Sequence, residues 1–190
     1  PMAVSLLYGE RCALSFALTI VLAAVIGSLL CLLCRGGRGT SSIKDGFMIV
    51  ALAWIVLSAI GALPFVFSKE IPSYIDAFFE TVSGFTTTGA TILADVEALS
   101  RGMLFWRSFT HWIGGMGILV FVVMLVNTPD RSINILKAEM PGPTVDKLVP
   151  KSKDTARTLY IIYTAMTALE VILLLLGGMS LFDSVVHALS

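Results

Sequence analysis

The chain has 190 residues, 56% hydrophobic and 14% charged, with 13 basic and 13 acidic residues, and its mean hydropathy is +0.89. A soluble domain carries about 25% charged and about 45–50% apolar residues, so both departures exclude an ordinary water-soluble fold and point to lipid. A net charge of zero gives no basis for nucleic-acid binding, and three cysteines clustered at one apolar run do not make a disulfide framework.

Cys12–Cys34 is an apolar run without a charge. It is long enough to cross a bilayer, which takes about 20 such residues, and longer than the apolar core of a cleaved leader. Within it Cys31 and Cys34 sit one helical turn apart. No third ligand lies nearby to make them a metal site, so they read as small residues of a span. Gly46–Phe67 is a second charge-free run. Tyr74–Leu93 is shorter and broken by Asp76, Glu80 and a Gly/Thr-rich stretch. Such backbone exists at membrane depth only where protein or a water-filled cavity receives it, which predicts a re-entrant loop. Met103–Val126, interrupted by Arg107 and His111, is a third run, and Leu159–Gly178, carrying Glu170, a fourth.

Charges orient these spans. Arg35, Arg38 and Lys44 lie in the first connection, and Arg131, Lys137, Lys147, Lys151, Lys153 and Arg157 in the 127–158 connection. The 68–101 side is mostly acidic. Short Lys/Arg-rich loops stay cytoplasmic, so the re-entrant segment enters from outside and the N-terminus is external. Pro1 ahead of Met2 reads as a trimmed start.

The segment with chemical content is Phe78–Thr91. Tyr74–Ser83 predicts a short helix, and Thr86, Thr87, Thr88, Gly89 and Ala90 then favour extended backbone, with Gly89 free to take a left-handed dihedral. Stacked carbonyls of this kind replace the hydration shell of a cation, and the negative end of the preceding helix dipole favours a cation there. Asp76 and Glu80, spaced i, i+4, either form an acidic vestibule or pin the short helix to its neighbours, with Asp76 placed as a cap at the helix start.

The chain end repeats this design. Ser180–Ser190 aligns with Ser73–Ser83, keeping the serines and the Asp76/Asp183 pair. One filter strand cannot surround an ion, so the expectation is a truncated piece of a chain with about four such units.

Thr81–Thr91, Trp106–Ile118 and Ala138–Pro143, in this order and spacing, closely resemble the TrkH/KtrB family of potassium transporters, over roughly Ser41 to the C-terminus. The resemblance implies an all-α membrane protein of helix–pore loop–helix repeats, as in potassium channels. The chain would divide into 1–40 (leading helix and linker), 41–128 (first repeat), 129–157 (cytoplasmic loop) and 158–190 (incomplete second repeat). It implies filter carbonyls at Thr87, Thr88 and Gly89, with Thr86 and Ala90 at the edges. Glycine rather than serine at Gly89 implies potassium over sodium. It also implies K+ as transported ion with no cofactor, a cytosolic nucleotide-binding ring partner of TrkA or KtrA type, a homodimer, and multi-pass residence in the cell inner membrane.

Arg107 and His111 share a face of the third span. Arg107 either tunes ion occupancy or pairs with Asp76 or Glu80 behind the filter, and repulsion between a cationic side chain and a cation path favours pairing. His111 reads as a packed, hydrogen-bonded ring. Gly114, Gly115 and Gly117 permit close packing, expected against the short helix. Glu170 is expected to bond to a neighbouring helix, and Pro141-Gly142-Pro143 to make a rigid turn. A non-conducting assembly subunit and an intramembrane hydrolase using His111 with Ser108 or Ser83 are the competing functions, the second without a recognisable nucleophile–base motif.

Overall fold

The computed structural model describes residues 1–33, 43–126 and 152–190, and every regular element among them is a helix. Cys34, the two basic connections around Arg35 and Lys137, and the Pro141–Pro143 turn lie outside the described residues. The helices are α1 (Met2–Leu7), α2 (Ala13–Leu33), α3 (Ile43–Gly61), α4 (Leu63–Ser68), α5 (Tyr74–Phe85), α6 (Arg101–Val126), α7 (Ser152–Leu176) and α8 (Leu181–Leu189). Among the described residues, three stretches are long and apolar enough to cross a membrane: Ala13–Leu32, Val50–Ser68 and Arg157–Leu176. The predicted Met103–Val126 span forms one 26-residue helix, α6. At 1.5 Å per residue α2 is about 31 Å long, the thickness of a bilayer core, whereas α5 reaches only about 18 Å and α8 about 14 Å.

The chain forms two compact units, Pro1–Trp112 with Leu189–Ser190, and Ile113–Ala188. In the first, the predicted second span is broken at Ala62, because Pro64 at the start of α4 lacks the amide that would continue the ladder. The break leaves the Gly61 carbonyl to accept the Trp106 indole N–H at 2.9 Å. A core of Cys12, Phe16, Phe65, Ile71, Ala77, Leu99 and Met103 gathers around it, with Phe16 edge-on to Trp106 and Trp54 edge-on to Phe85.

The N-terminus of α6 is held by two carboxylates from distant segments. Glu10 accepts the amides of Arg101 and Gly102, both at 2.9 Å, and Glu70 accepts the Ser100 amide at 2.8 Å and its hydroxyl at 2.7 Å. Helix N-termini leave amides unsatisfied and favour negative charge, which is why acids converge here. Gly102 lets this end seat against Ser5 and Cys12, where a Cβ would collide with both.

Ser73 caps α5 by accepting the Asp76 amide, and Ser180 caps α8 by accepting the Asp183 amide. Both matched serines of the aligned segments thus serve as N-caps. The cap of α5 is Ser73, not Asp76, because the hydroxyl one turn upstream already holds the third-position amide.

In the second unit, Gly115 packs against the ring and hydroxyl of Tyr163 on α7, rather than against the short helix as expected. Glu170 is exposed, and among the described residues no partner bonds to it.

Two glycines separate packing from propensity. At Gly61 an added Cβ would lie 2.8 Å from Thr81 Cγ2, whereas at Gly27 it meets nothing within 4 Å. Gly61→Ala is expected to lower the apparent melting temperature of the detergent-solubilised protein, in line with about 1–3 kcal/mol for overpacking. Gly27→Ala is expected to leave it unchanged or raise it, since alanine gains up to about 1 kcal/mol in a helix. A scanning melt of both variants checks the opposite signs.

Candidate functional site

Helix α5 is amphipathic in an inverted sense. It buries Ala77, Glu80, Thr81, Ser83, Gly84 and Phe85 and exposes Tyr74, Ile75 and Phe79. Its polar side is therefore turned into the protein, and the residues there are fully engaged. Thr81 bonds back to the Ala77 carbonyl. Gly84 brings α5 against α6 so closely that a Cβ would run into Thr110. Without that approach the α6 side chains could not reach Glu80.

Glu80 is 1% exposed and sits at the centre of the site. Its Oε1 accepts Arg107 Nε at 2.6 Å. Its Oε2 accepts the Thr91 hydroxyl at 3.0 Å and the Ile92 amide at 3.2 Å. One carboxylate thus joins α5, α6 and the chain that follows Gly89. A buried charge needs an opposite charge and hydrogen bonds to offset its desolvation, and here it has both. Of the two acids offered by sequence, Arg107 takes Glu80. Asp76 is exposed at the other end of the helix and joins neither.

The chain leaves α5 by a tight reversal. The Thr87 amide bonds to the Gly84 carbonyl and the Thr88 amide to the Ser83 carbonyl, each at 3.0 Å. This pairing closes a helix end around a left-handed residue, normally glycine. Here that residue is Thr87, with φ of 56°. A β-branched residue is seldom found in this region, and such strain persists where the surroundings over-determine it. Gly89 takes φ of 73°.

Residues 86–90 then run exposed beside the helix, held at intervals. The Ser83 hydroxyl donates to the Ala90 carbonyl at 2.6 Å, and Glu80 fixes Thr91 and Ile92 one turn farther back. The Thr86 hydroxyl donates to the Val82 carbonyl, contacts the Thr88 hydroxyl at 2.8 Å, and its carbonyl accepts from the Thr87 hydroxyl. Among the described residues no donor bonds to the carbonyls of Thr87, Thr88 or Gly89. An oxygen-rich strand with unused carbonyls is thus held on a buried ionic framework, chemistry suited to a hard cation.

Two other polar groups near the site are engaged. His111 is buried, with Nδ1 against the Arg107 carbonyl at 3.0 Å, and Thr110 donates to the same carbonyl at 2.6 Å. With Ser83 committed to Ala90, and among the described residues no serine bonded to His111, no nucleophile–base pair forms. Sequence reasoning missed Ser83 as the pin of Ala90 and Thr91 as the link to Glu80. Both lie in the motif, but their partners become apparent only when the strand folds back.

Removing one partner of a buried ion pair costs about 3–5 kcal/mol. Arg107→Met is therefore expected to cut the folded yield and apparent melting temperature sharply, and the double variant Glu80→Gln/Arg107→Met to recover part of both. Fluorescence-detected size-exclusion chromatography with a heating series measures this. An Arg107→Met protein as stable as the parent would remove the pair from the framework.

Residues 13–190 match the family model described as TrkH, a cation transport protein. The Trk system potassium uptake protein TrkH of Salmonella typhimurium is 40% identical across 100% of this chain, which covers 40% of that relative. The Trk system potassium uptake protein TrkG of Escherichia coli is 38% identical, again over 100% of this chain and 40% of the relative. The crystal structure of the potassium transporter TrkH from Vibrio parahaemolyticus aligns with a TM-score of 0.79 at 33% identity, over 98% of this chain and 37% of that one. The chain thus spans about 40% of the length of the curated relatives it matches. Those relatives are transport proteins, not enzymes, and with three stretches able to cross a membrane this chain is a membrane protein. It belongs to the TrkH family of cation transport proteins.

Proposed function

We propose that the chain is the leading part of a potassium-uptake transporter of the cell inner membrane, and that residues 86–90 are one quarter of its selectivity filter. The observation that carries this reading is the set of three unused carbonyls, Thr87, Thr88 and Gly89, on a strand whose two neighbours Thr86 and Ala90 are tied down. A filter strand must offer its oxygens to the ion and therefore cannot spend them on the protein. The strand must also resist collapse onto a smaller ion or spreading around a larger one, and Glu80 with Arg107 and Ser83 supplies that stiffness. Names of relatives that specify potassium uptake support the choice of ion.

In this reading α5 is a pore helix, Tyr74–Leu93 is a re-entrant loop, and α7 and α8 open a second unit of the same kind. Three further strands complete the ring of oxygens. The exposed Ile75 and Phe79 on α5 then face neighbouring parts of the assembled transporter rather than solvent. Asp76, exposed near the outer end of α5, adds negative charge to the approach, while Glu80 and Arg107 serve as buried support. A cytosolic nucleotide-binding ring of TrkA or KtrA type and a second copy of the transporter are the proposed partners. The transported K+ is the substrate, and the proposal involves no resident cofactor.

Gly89 tests the reading. Its position is open, so an added Cβ meets no atom within 4 Å, but φ of 73° favours glycine. In the full-length chain, Gly89→Ser is expected to slow potassium-limited growth and rubidium uptake in cells lacking other potassium systems, and to admit sodium. Unchanged uptake and selectivity at normal expression would sink the filter assignment.

A further inference from the structure

We infer that the first unit carries a phospholipid site at the membrane interface, built for a zwitterionic headgroup bearing an amine. A cavity of about 430 Å³ opens between the start of α2 and the end of α4, within the volume range of about 300–1,000 Å³ usual for ligand sites. Its wall has two chemical layers. Leu14, Leu18 and Phe67, all exposed, form an apolar trough along the two spans. Arg11, Glu10 and Glu70 form a charged rim just beyond their ends. The apolar stretches themselves begin at Ala13 and end at Ser68, so the rim lies where hydrocarbon gives way to headgroups.

The rim discriminates between headgroups by charge. Arg11 is exposed, and among the described residues no carboxylate pairs with it. Its guanidinium fork fits a phosphodiester, and its stem can lie along the trough. Glu10 and Glu70 are immobilised by the backbone of residues 100–102, yet each carboxylate retains lone pairs beyond those bonds. A phosphate on Arg11 with a primary ammonium toward the two carboxylates matches this arrangement. An anionic glycerol headgroup matches Arg11 alone and adds negative charge beside two carboxylates. The acyl chain continues over Leu14, Leu18 and Phe67, which lipid would otherwise cover without order. The site stands apart from residues 86–92 and does not depend on the filter reading.

The test is native mass spectrometry of the full-length protein in non-ionic detergent, titrated with dioleoyl phosphatidylethanolamine or dioleoyl phosphatidylglycerol. The parent is expected to hold one phosphatidylethanolamine roughly tenfold more tightly than phosphatidylglycerol, a preference set by Glu10 and Glu70, and Arg11→Gln to weaken the phosphatidylethanolamine adduct by removing the contact to its phosphate. Leu18→Trp, which fills the trough and leaves every rim charge in place, is expected to weaken the same adduct. Both changes are at exposed positions, and monodisperse elution reports that each variant is folded. Equal binding of the two lipids by the parent, or an adduct indifferent to both substitutions, would overturn the site and leave only general lipid coating.

Discussion

The oxygen-rich strand after α5 depends on one buried carboxylate. Glu80 accepts from Arg107 with one oxygen and from the Thr91 hydroxyl and the Ile92 amide with the other. Without a cation beside it, the carboxylate would be too costly to bury. Without the carboxylate, the strand after Gly89 would have nothing to fold back onto. The close approach of α5 and α6 follows from the same requirement: Gly84 gives up its side chain so that Thr110 and Arg107 come within reach. The ion pair is short and shielded, and the second oxygen of its carboxylate is hydrogen-bonded, conditions under which a buried pair holds its place. Its role is to position the strand, and the strand's own oxygens are left for other work.

A second constraint acts at the far end of α6. Glu10 and Glu70, 60 residues apart in sequence, both satisfy amides of the same helix start. The leading segment, the connection after α4 and α6 are thereby fixed to one another by helix electrostatics in addition to the apolar core they share. That suits a protein whose apolar surface is reserved for lipid. Much of α2 and α7 remains exposed within this chain, including Leu18, Leu29, Ile162 and Leu173. In such a molecule polar contacts supply the specificity of assembly, because lipid tails are as apolar as leucine.

Most of the fold was legible because membrane helices are set by long apolar runs. Among the described residues the predicted runs at 12–34, 46–67, 103–126 and 159–178 each correspond to helix, with ends moved by up to seven residues. The second was read as continuous because hydropathy does not register Pro64, whose missing amide breaks it at Ala62. The short helix runs two residues past Ser83, to Phe85, because Gly84 and Phe85 still pack on their buried side. The site was legible in composition but not in detail. Sequence spacing placed Asp76 and Glu80 on one helix face, yet only Glu80 is buried, since Asp76 lies in the exposed first turn. The left-handed Thr87 was invisible, because residue preference argues for glycine there and only the closed hydrogen-bond pattern enforces it. Nothing in the sequence distinguished Glu10 as a cap for a helix 91 residues away.

The ionic framework is also short in chain terms. The outermost of Glu80, Ser83, Ala90, Thr91 and Arg107 are 27 positions apart, so joining them closes only a small loop. Loop closure grows costlier with length, and contacts of low sequence separation form early. A ribosome adding about 5–20 residues per second delivers Arg107 within a few seconds of Glu80. The strand can therefore take its shape while later segments are still unmade. A transporter assembled from several such units would bring together strands that are already set, and the ordering entropy of each would be spent before the ring closes.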